Sequence, residues 1–395
     1  MDYVDGTFTY ESGTVASADF PQTEEPVYIL GKAYSALHDR EELRHDFASR
    51  LWMTYRRNFP AIGGTGPSGD TGWGCMLRCG QMMLAQALLV HHCGRDWRWV
   101  DDGRRDDIYW RILSLFQDKK SANYSIQQIA SMGVSEGKAV GQWFGPNTVA
   151  QVLKKLAVYD EWSNLVIHVA MDNTVIENDI RGLCLEGKDL NSCDIMGCQN
   201  VKGAEGGASH LDKNHRHKGK PGSWKPLLLV IPLRLGLTDI NSVYIDSLKR
   251  CFTFKQSVGI IGGRPNHAHW FVGYLGDKLV FLDPHTTQGV TDLDDPTSND
   301  QSYHCQYPSL MKVTELDPSI GVGFYCRNEE DFTDFCCQAR KHITDAKKTP
   351  MFEMFQDRPS HWPPYEPYTG LTTSTTGFTE VGTQDDSDEE FELVG

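Results

Sequence analysis

Long apolar runs are missing from this 395-residue chain. The longest, Leu227 to Leu233, contains Pro232 and is too short to span a bilayer, so it reads as a buried strand. The N-terminus shows no basic segment followed by an apolar stretch, so no secretory signal is expected. Basic stripes are missing as well. The formal net charge is −15, which argues against general nucleic-acid binding. Regular cysteine spacing is also absent: eleven cysteines, an odd number, are scattered irregularly. Without a secretion signal this favours reduced thiols and a cytoplasmic chain. Cys184, Cys193, Cys198, His210, His215 and His217 include no tight pair of ligand knuckles, so no metal is expected. No internal repeat is visible.

What is present divides into three parts. Residues 1–25 are polar and acidic and read as a flexible arm. Residues 26–358 carry the periodic segments of one domain. Within them, residues 186–223 are rich in Gly, Lys, His, Asn and Asp and read as a disordered surface insertion. Residues 359–395 are rich in Pro, Thr, Gly and acid and read as a disordered tail. Helices are predicted at 41–55, 75–92, 106–116, 125–132, 146–157, 174–184, 244–250 and 329–341. Strands are predicted at 27–30, 165–170, 227–233, 257–261, 269–274, 278–282 and 321–326. Helices that precede a largely antiparallel sheet imply an α+β fold.

The most informative stretch is Thr71-Gly72-Trp73-Gly74-Cys75-Met76-Leu77-Arg78-Cys79-Gly80. A glycine-rich loop turns there into a helix of Leu, Met, Ala and Gln. Cys75 falls in the first turn, where unpaired N–H groups and the helix dipole favour a thiolate. Gly72 and Gly74 leave room for a substrate backbone. Most cysteines are inert core residues, and Cys79, one turn on, suits that role; it is also a candidate redox neighbour of Cys75.

A nucleophilic thiol needs a base and a group that orients the base. In Leu282-Asp283-Pro284-His285, Asp283 and His285 are two apart, on one face of an extended segment. His269, which opens the run His269-Trp270-Phe271-Val272, is the competing base, with Asp283 as its partner. Pattern alone leaves both open. A cysteine on a helix facing a histidine on a sheet is the layout of papain-like enzymes. The Cys75 N–H is a natural oxyanion donor. Tyr55 is a second candidate, although as a lone aromatic it reads first as core.

Leu51-Trp52-Met53-Thr54-Tyr55-Arg56-Arg57-Asn58-Phe59-Pro60, the Gly72–Gly80 stretch, Gly141-Gln142-Trp143-Phe144-Gly145-Pro146-Asn147-Thr148 and Leu282–Gln288 together resemble the autophagin cysteine peptidases, nearest the animal A/B-type members. The resemblance covers roughly residues 27–355. It implies Cys75 as nucleophile, His285 as base, Asp283 as its partner and Tyr55 in the oxyanion hole, with no cofactor and no metal. It implies that Trp143 covers the cleft and that Gly262-Gly263-Arg264-Pro265-Asn266 is a mobile loop that yields to substrate. The implied activity is cleavage after the C-terminal glycine of ubiquitin-like autophagy modifiers, both as precursors and as conjugates of phosphatidylethanolamine. The implied chain is cytoplasmic and only transiently at autophagic membranes, with no transmembrane segment. In Asp388-Glu389-Glu390-Phe391-Glu392-Leu393-Val394, Phe391 and Val394 resemble a short modifier-binding motif. Other readings are a deubiquitinase-like thiol hydrolase or an inactive modifier-binding scaffold.

Overall fold

A computed structural model describes residues 19–103, 105–185, 223–345 and 348–370. The chain begins with the hairpin β1 (Pro26–Ile29) and β2 (Lys32–Ser35), then α1 (Arg40–Ala48) and the short β3 (Tyr55–Arg57). A helical stretch follows: α2 (Cys75–His92), α3 (Asp107–Ser114), α4 (Ile126–Gly133) and α5 (Pro146–Ala157). After β4 (Val166–Val169), β5 (Thr174–Ile176) and α6 (Glu177–Cys184) come β6 (Leu227–Arg234) and α7 (Ile245–Cys251). Strands β7 (Ser257–Arg264), β8 (His267–Leu275), β9 (Lys278–Leu282), β10 (Thr287–Gly289), β11 (Ser309–Lys312) and β12 (Ser319–Cys326) precede α8 (Glu329–Ala339) and β13 (Glu353–Phe355).

The main sheet runs β11-β9-β8-β7-β12-β6-β4, with β1 added alongside β8. Its pairs are antiparallel except β4 with β6. Both faces are covered, which is why β6 is apolar without alternation. Leu228 and Val230 face the core built with α2 and α5, whereas Leu227, Leu229 and Ile231 face the core built with α6 and α8. Helix α2 is buried from Cys75 to Leu89 and is the central helix of the first layer. Gly80 lets α5 approach it closely: a Cβ there would lie 2.6 Å from Val149. This is the papain-like α+β arrangement, with the N-terminus of a buried helix set against the sheet. No helix among the described residues is long and apolar enough to cross a membrane.

Several expectations need correction. The helix predicted over 41–55 ends at Ala48, and Tyr55 begins a strand. Thr174–Ile176 is a strand paired in parallel with β13, and the helix starts only at Glu177. Gly262, Gly263 and Arg264 belong to β7, paired with His269, Ala268 and His267. Only Pro265 and Asn266 form the turn, with Asn266 at φ 63°. The expected loop is therefore the end of a hairpin. Its backbone bonds are satisfied by β8 and by the Asp317 N–H, which donates to the Gly263 carbonyl at 2.7 Å.

Both terminal segments also reach into the domain. Phe20 is buried, and Asp19 pairs with Arg40 and Arg44. Residues 359–370, expected to be free tail, lie along the domain. The Tyr365 hydroxyl is 3.3 Å from His168 Nδ1, and Arg358 bridges to Asp179 at 2.7 Å. Aromatic residues among the prolines supply the apolar contact that composition alone hides.

Candidate active site

Cys75 is the first residue of α2, and its side chain is buried at the sheet. Burial alone would push its thiol up. His285, the Ala268 N–H and the Trp143 indole together more than offset that burial and hold the thiol below its ordinary range. Ala268 lies on β8 beside His267, so the hairpin lends a backbone donor to the sulfur.

His285 follows the end of β9. Its Nδ1 is 2.5 Å from Asp283 Oδ1, and the same oxygen accepts the His285 backbone N–H at 2.9 Å. Asp283 is thus a turn-forming carboxylate and a ring-holding one at once. Burial lowers the pKa of the imidazole, but Asp283 and Cys75 raise it more, to about 9. Nε2 is buried and completes no hydrogen bond among the described residues, while the mutual pKa effects of His285 and Cys75 mark the two side chains as neighbours. Burial raises the pKa of Asp283, but the hydrogen bond to His285 lowers it further, so it stays ionised.

The segment that carries Asp283 and His285 is pinned from several sides. The Tyr55 N–H donates to the Pro284 carbonyl at 2.9 Å, and the Trp52 indole donates to the Asp283 carbonyl at 2.7 Å. Strand β10, just beyond, pairs with β3 so that Thr287 lies opposite Tyr55. Tyr55 is buried, its ring edge-on to His285 at 5.5 Å. Burial and the neighbouring Cys75 keep its hydroxyl protonated, available as a donor.

His269 lies on the same wall. Its Nδ1 is 3.7 Å from Asp283 Oδ1 and has no hydrogen-bond partner among the described residues. Burial lowers its pKa to about 3, so it is a neutral ring packed on Phe281 at 4.3 Å. His269, Asp283 and His285 bring ligand atoms within 4.8 Å of one another. The 2.5 Å separation of His285 and Asp283 is a hydrogen bond, shorter than the ~3.3 Å between neighbouring ligands on a tetrahedral zinc ion.

Trp143 is 40% exposed, with its indole at Cys75. Its neighbour Phe144 is fully buried against Gly133 of α4. Cys79 lies one turn below Cys75, fully buried, and burial pushes its thiol well up. A neutral, inaccessible thiol does not suit peroxide chemistry, so Cys79 is a core residue rather than a redox neighbour. Gly74 also differs from expectation. A Cβ there would lie 2.3 Å from Asp70 Oδ2, so the space it leaves is filled by Asp70, not by substrate. Gly72, at φ 88°, has open space around it. Phe391, Val394 and residues 186–222 of the expected insertion 186–223 lie outside the described residues. Sequence reasoning gave no role to Asp70, Ala268 or the Trp52 indole; the last two act through contacts distant along the chain.

A thiol activated at a helix N-terminus and paired with a carboxylate-held imidazole on the adjoining sheet is the chemistry of a cysteine protease. The Peptidase C54 catalytic domain matches residues 40–338. "Cysteine protease ATG4B" of Gallus gallus is 53% identical over 358 residues, covering 90% of this chain and 90% of that protein. "Cysteine protease ATG4A" of Gallus gallus is 49% identical over 382 residues, covering 95% and 99%. "Cysteine protease ATG4A" of Homo sapiens is 47% identical over 386 residues, covering 95% and 94%. The chain belongs to the Peptidase C54 family and is an autophagy-related cysteine peptidase.

Proposed function

We propose that the chain hydrolyses the bond after the C-terminal glycine of a ubiquitin-like autophagy modifier, maturing precursors and releasing the modifier from phosphatidylethanolamine. The observation that carries this reading is the carboxylate-held ring of His285, bonded by Asp283 at 2.5 Å, beside Cys75 at the start of α2, where it holds the thiol pKa down. The Cys75 thiolate attacks the glycine carbonyl carbon. The oxyanion is held by the Cys75 N–H and the Tyr55 hydroxyl. Protonated His285 gives its proton to the leaving amine, and a thioester with Cys75 remains. Neutral His285 then takes a proton from water, whose oxygen attacks the thioester and frees the glycine carboxylate. Asp283 keeps the ring oriented and stabilises its charged form.

A tryptophan over the sulfur supports glycine selectivity, because a slot between indole and thiol admits a backbone without a side chain. The end of the β7–β8 hairpin, Gly262 to Asn266, borders this slot through Ala268 and is the segment that would shift to admit a protein tail. The tail residues Phe391 and Val394 would tether the modifier by strand addition, raising its local concentration.

The test is cleavage of a C-terminally tagged modifier precursor by the wild type and by C75A, H285A and H269A. C75A and H285A should lose cleavage, and H269A should keep it within about tenfold. Loss with H269A and retention with H285A would move the base to His269. A wild type that binds the modifier without cutting it would replace the peptidase reading with a binding role.

A further inference from the structure

Asp70 is fully buried between the two elements that carry the reacting groups, and its two carboxylate oxygens go to different elements. Oδ1 accepts the backbone N–H of Arg56 at 2.6 Å, on β3 next to Tyr55. Oδ2 accepts from Arg78 Nε at 2.8 Å, on α2 one turn after Cys75. Its backbone repeats the same division. The Asp70 N–H donates to the Arg56 carbonyl at 3.2 Å, and the Asp70 carbonyl accepts from Trp73 and Gly74, at 3.2 and 2.8 Å. Gly74, the residue before the nucleophile, must be glycine because the carboxylate occupies the space of its Cβ. Arg78 is itself buried and held from its far side by Asp118 at 2.8 Å, so it cannot swing away from Asp70.

An ion this deeply buried is costly, and a hydrophobic residue would close the same gap at less expense. What a carboxylate supplies is two acceptors at a fixed separation, one for a strand and one for a helix. We propose that Asp70 is a positioning residue that sets the Tyr55 hydroxyl against the Cys75 sulfur, so that donor and nucleophile address one carbonyl group. This rests on the reading of Tyr55 as an oxyanion donor. The charge of Asp70 also helps to keep the Tyr55 hydroxyl protonated.

A double-mutant cycle of D70N and Y55F tests this on a glycine-ended fluorogenic peptide, so the catalytic centre is read whether or not the modifier precursor is cleaved. D70N should lower kcat about 100-fold with KM little changed, because an ångström of misplacement or a lost oxyanion donor is felt only in the transition state. Y55F should fall by a similar factor, and the double variant no further than the worse single one. The rate of Cys75 alkylation by iodoacetamide, which needs the thiolate but no oxyanion donor, should stay within about twofold in D70N. A merely structural Asp70 would lower the melting temperature without making the cycle non-additive. Losses that multiply, or alkylation that falls as far as kcat, overturn the proposal. If D70N does not fold, R78K carries the same test, since lysine keeps the charge towards Asp118 but lacks the fork that reaches Asp70. A wild type that cleaves the peptide but no modifier precursor overturns the substrate reading and leaves this one standing.

Discussion

At the scale of single residues, Asp283 uses one oxygen to hold both the backbone and the ring of His285. Against burial, which lowers it, the imidazole is raised to about 9 first by the hydrogen bond to Asp283, then by Cys75 and by the charge of Asp283. In the proposed mechanism the reactive form pairs a Cys75 thiolate with a protonated His285, so kcat/KM should rise as Cys75 ionises and fall above about pH 9. Asparagine at 283 keeps an acceptor for the backbone N–H but removes the charge. In D283N the alkaline limb should move down towards the ~6.5 of a free imidazole, with kcat lower by about 10⁴-fold. A pH–rate profile on a fluorogenic peptide measures both; an alkaline limb that stays near 9 in D283N contradicts the assignment. This much was legible in the sequence, because the glycine-to-helix switch at Cys75 and the Asp-x-His spacing are local patterns. Choosing His285 over His269 was not local. Pattern leaves both open and the family resemblance favours His285; in the structure burial leaves His269 neutral and Asp283 bonds the nearer ring, that of His285. The Trp52 indole, 231 positions from the carbonyl it meets, has no sequence signature at all.

At the scale of elements, Trp143, the residue proposed to cover Cys75, sits in an anchored segment next to the buried Phe144. Phe144 fills a socket at Gly133, where an added Cβ would lie 2.1 Å from the ring tip. G133A should therefore cost about 1–3 kcal/mol by overpacking. Pushing Phe144 out should also draw the neighbouring Trp143 indole from the sulfur. Since that N–H helps hold the thiol pKa down, the pH midpoint for Cys75 alkylation should rise in G133A. Alkylation rates from pH 5 to 9, beside a thermal melt, check this; lowered stability with an unmoved midpoint would uncouple socket from cover. The helices that bracket this region were readable to the residue. Cys75–His92 follows glycine-rich chain, and Pro146–Ala157 opens on proline at N1. Segments whose partner is far away were misread. Thr174–Ile176 has helical neighbours but is drawn into a strand by β13, and Gly262–Arg264 looks like loop yet is held by β8.

At the scale of the whole molecule, folding buries histidines of two strands, His168 on β4 and His269 on β8, as neutral rings. Burial lowers His168 and His269 to about 3, far below their unfolded value. His168 sits on β4 beneath the terminal strap, with Tyr365 at its Nδ1 and Lys154 and Arg358 nearby as like charges. The unfolded chain binds protons at these rings below pH ~6.5, whereas the folded chain does not until about 3. Their contribution is therefore present above ~6.5 and lost as pH falls through that window, by about 2 kcal/mol per ring at pH 5. Asp70 opposes this, since its raised pKa favours the folded state on acidification. The depressed carboxylates Asp46 and Asp300 act later, below the ordinary carboxylate range. Urea unfolding at pH 7 and pH 5 separates these windows. The wild type should lose stability between the two, and H168F, which fills the same space with a ring that cannot be protonated, should lose about 2 kcal/mol less. Equal losses in both chains would mean that His168 stays solvated and that the strap over it opens in the folded state. Because the strap leads into the tail that carries Phe391 and Val394, the same measurement reports how firmly the tail's point of departure is fixed to the peptidase domain.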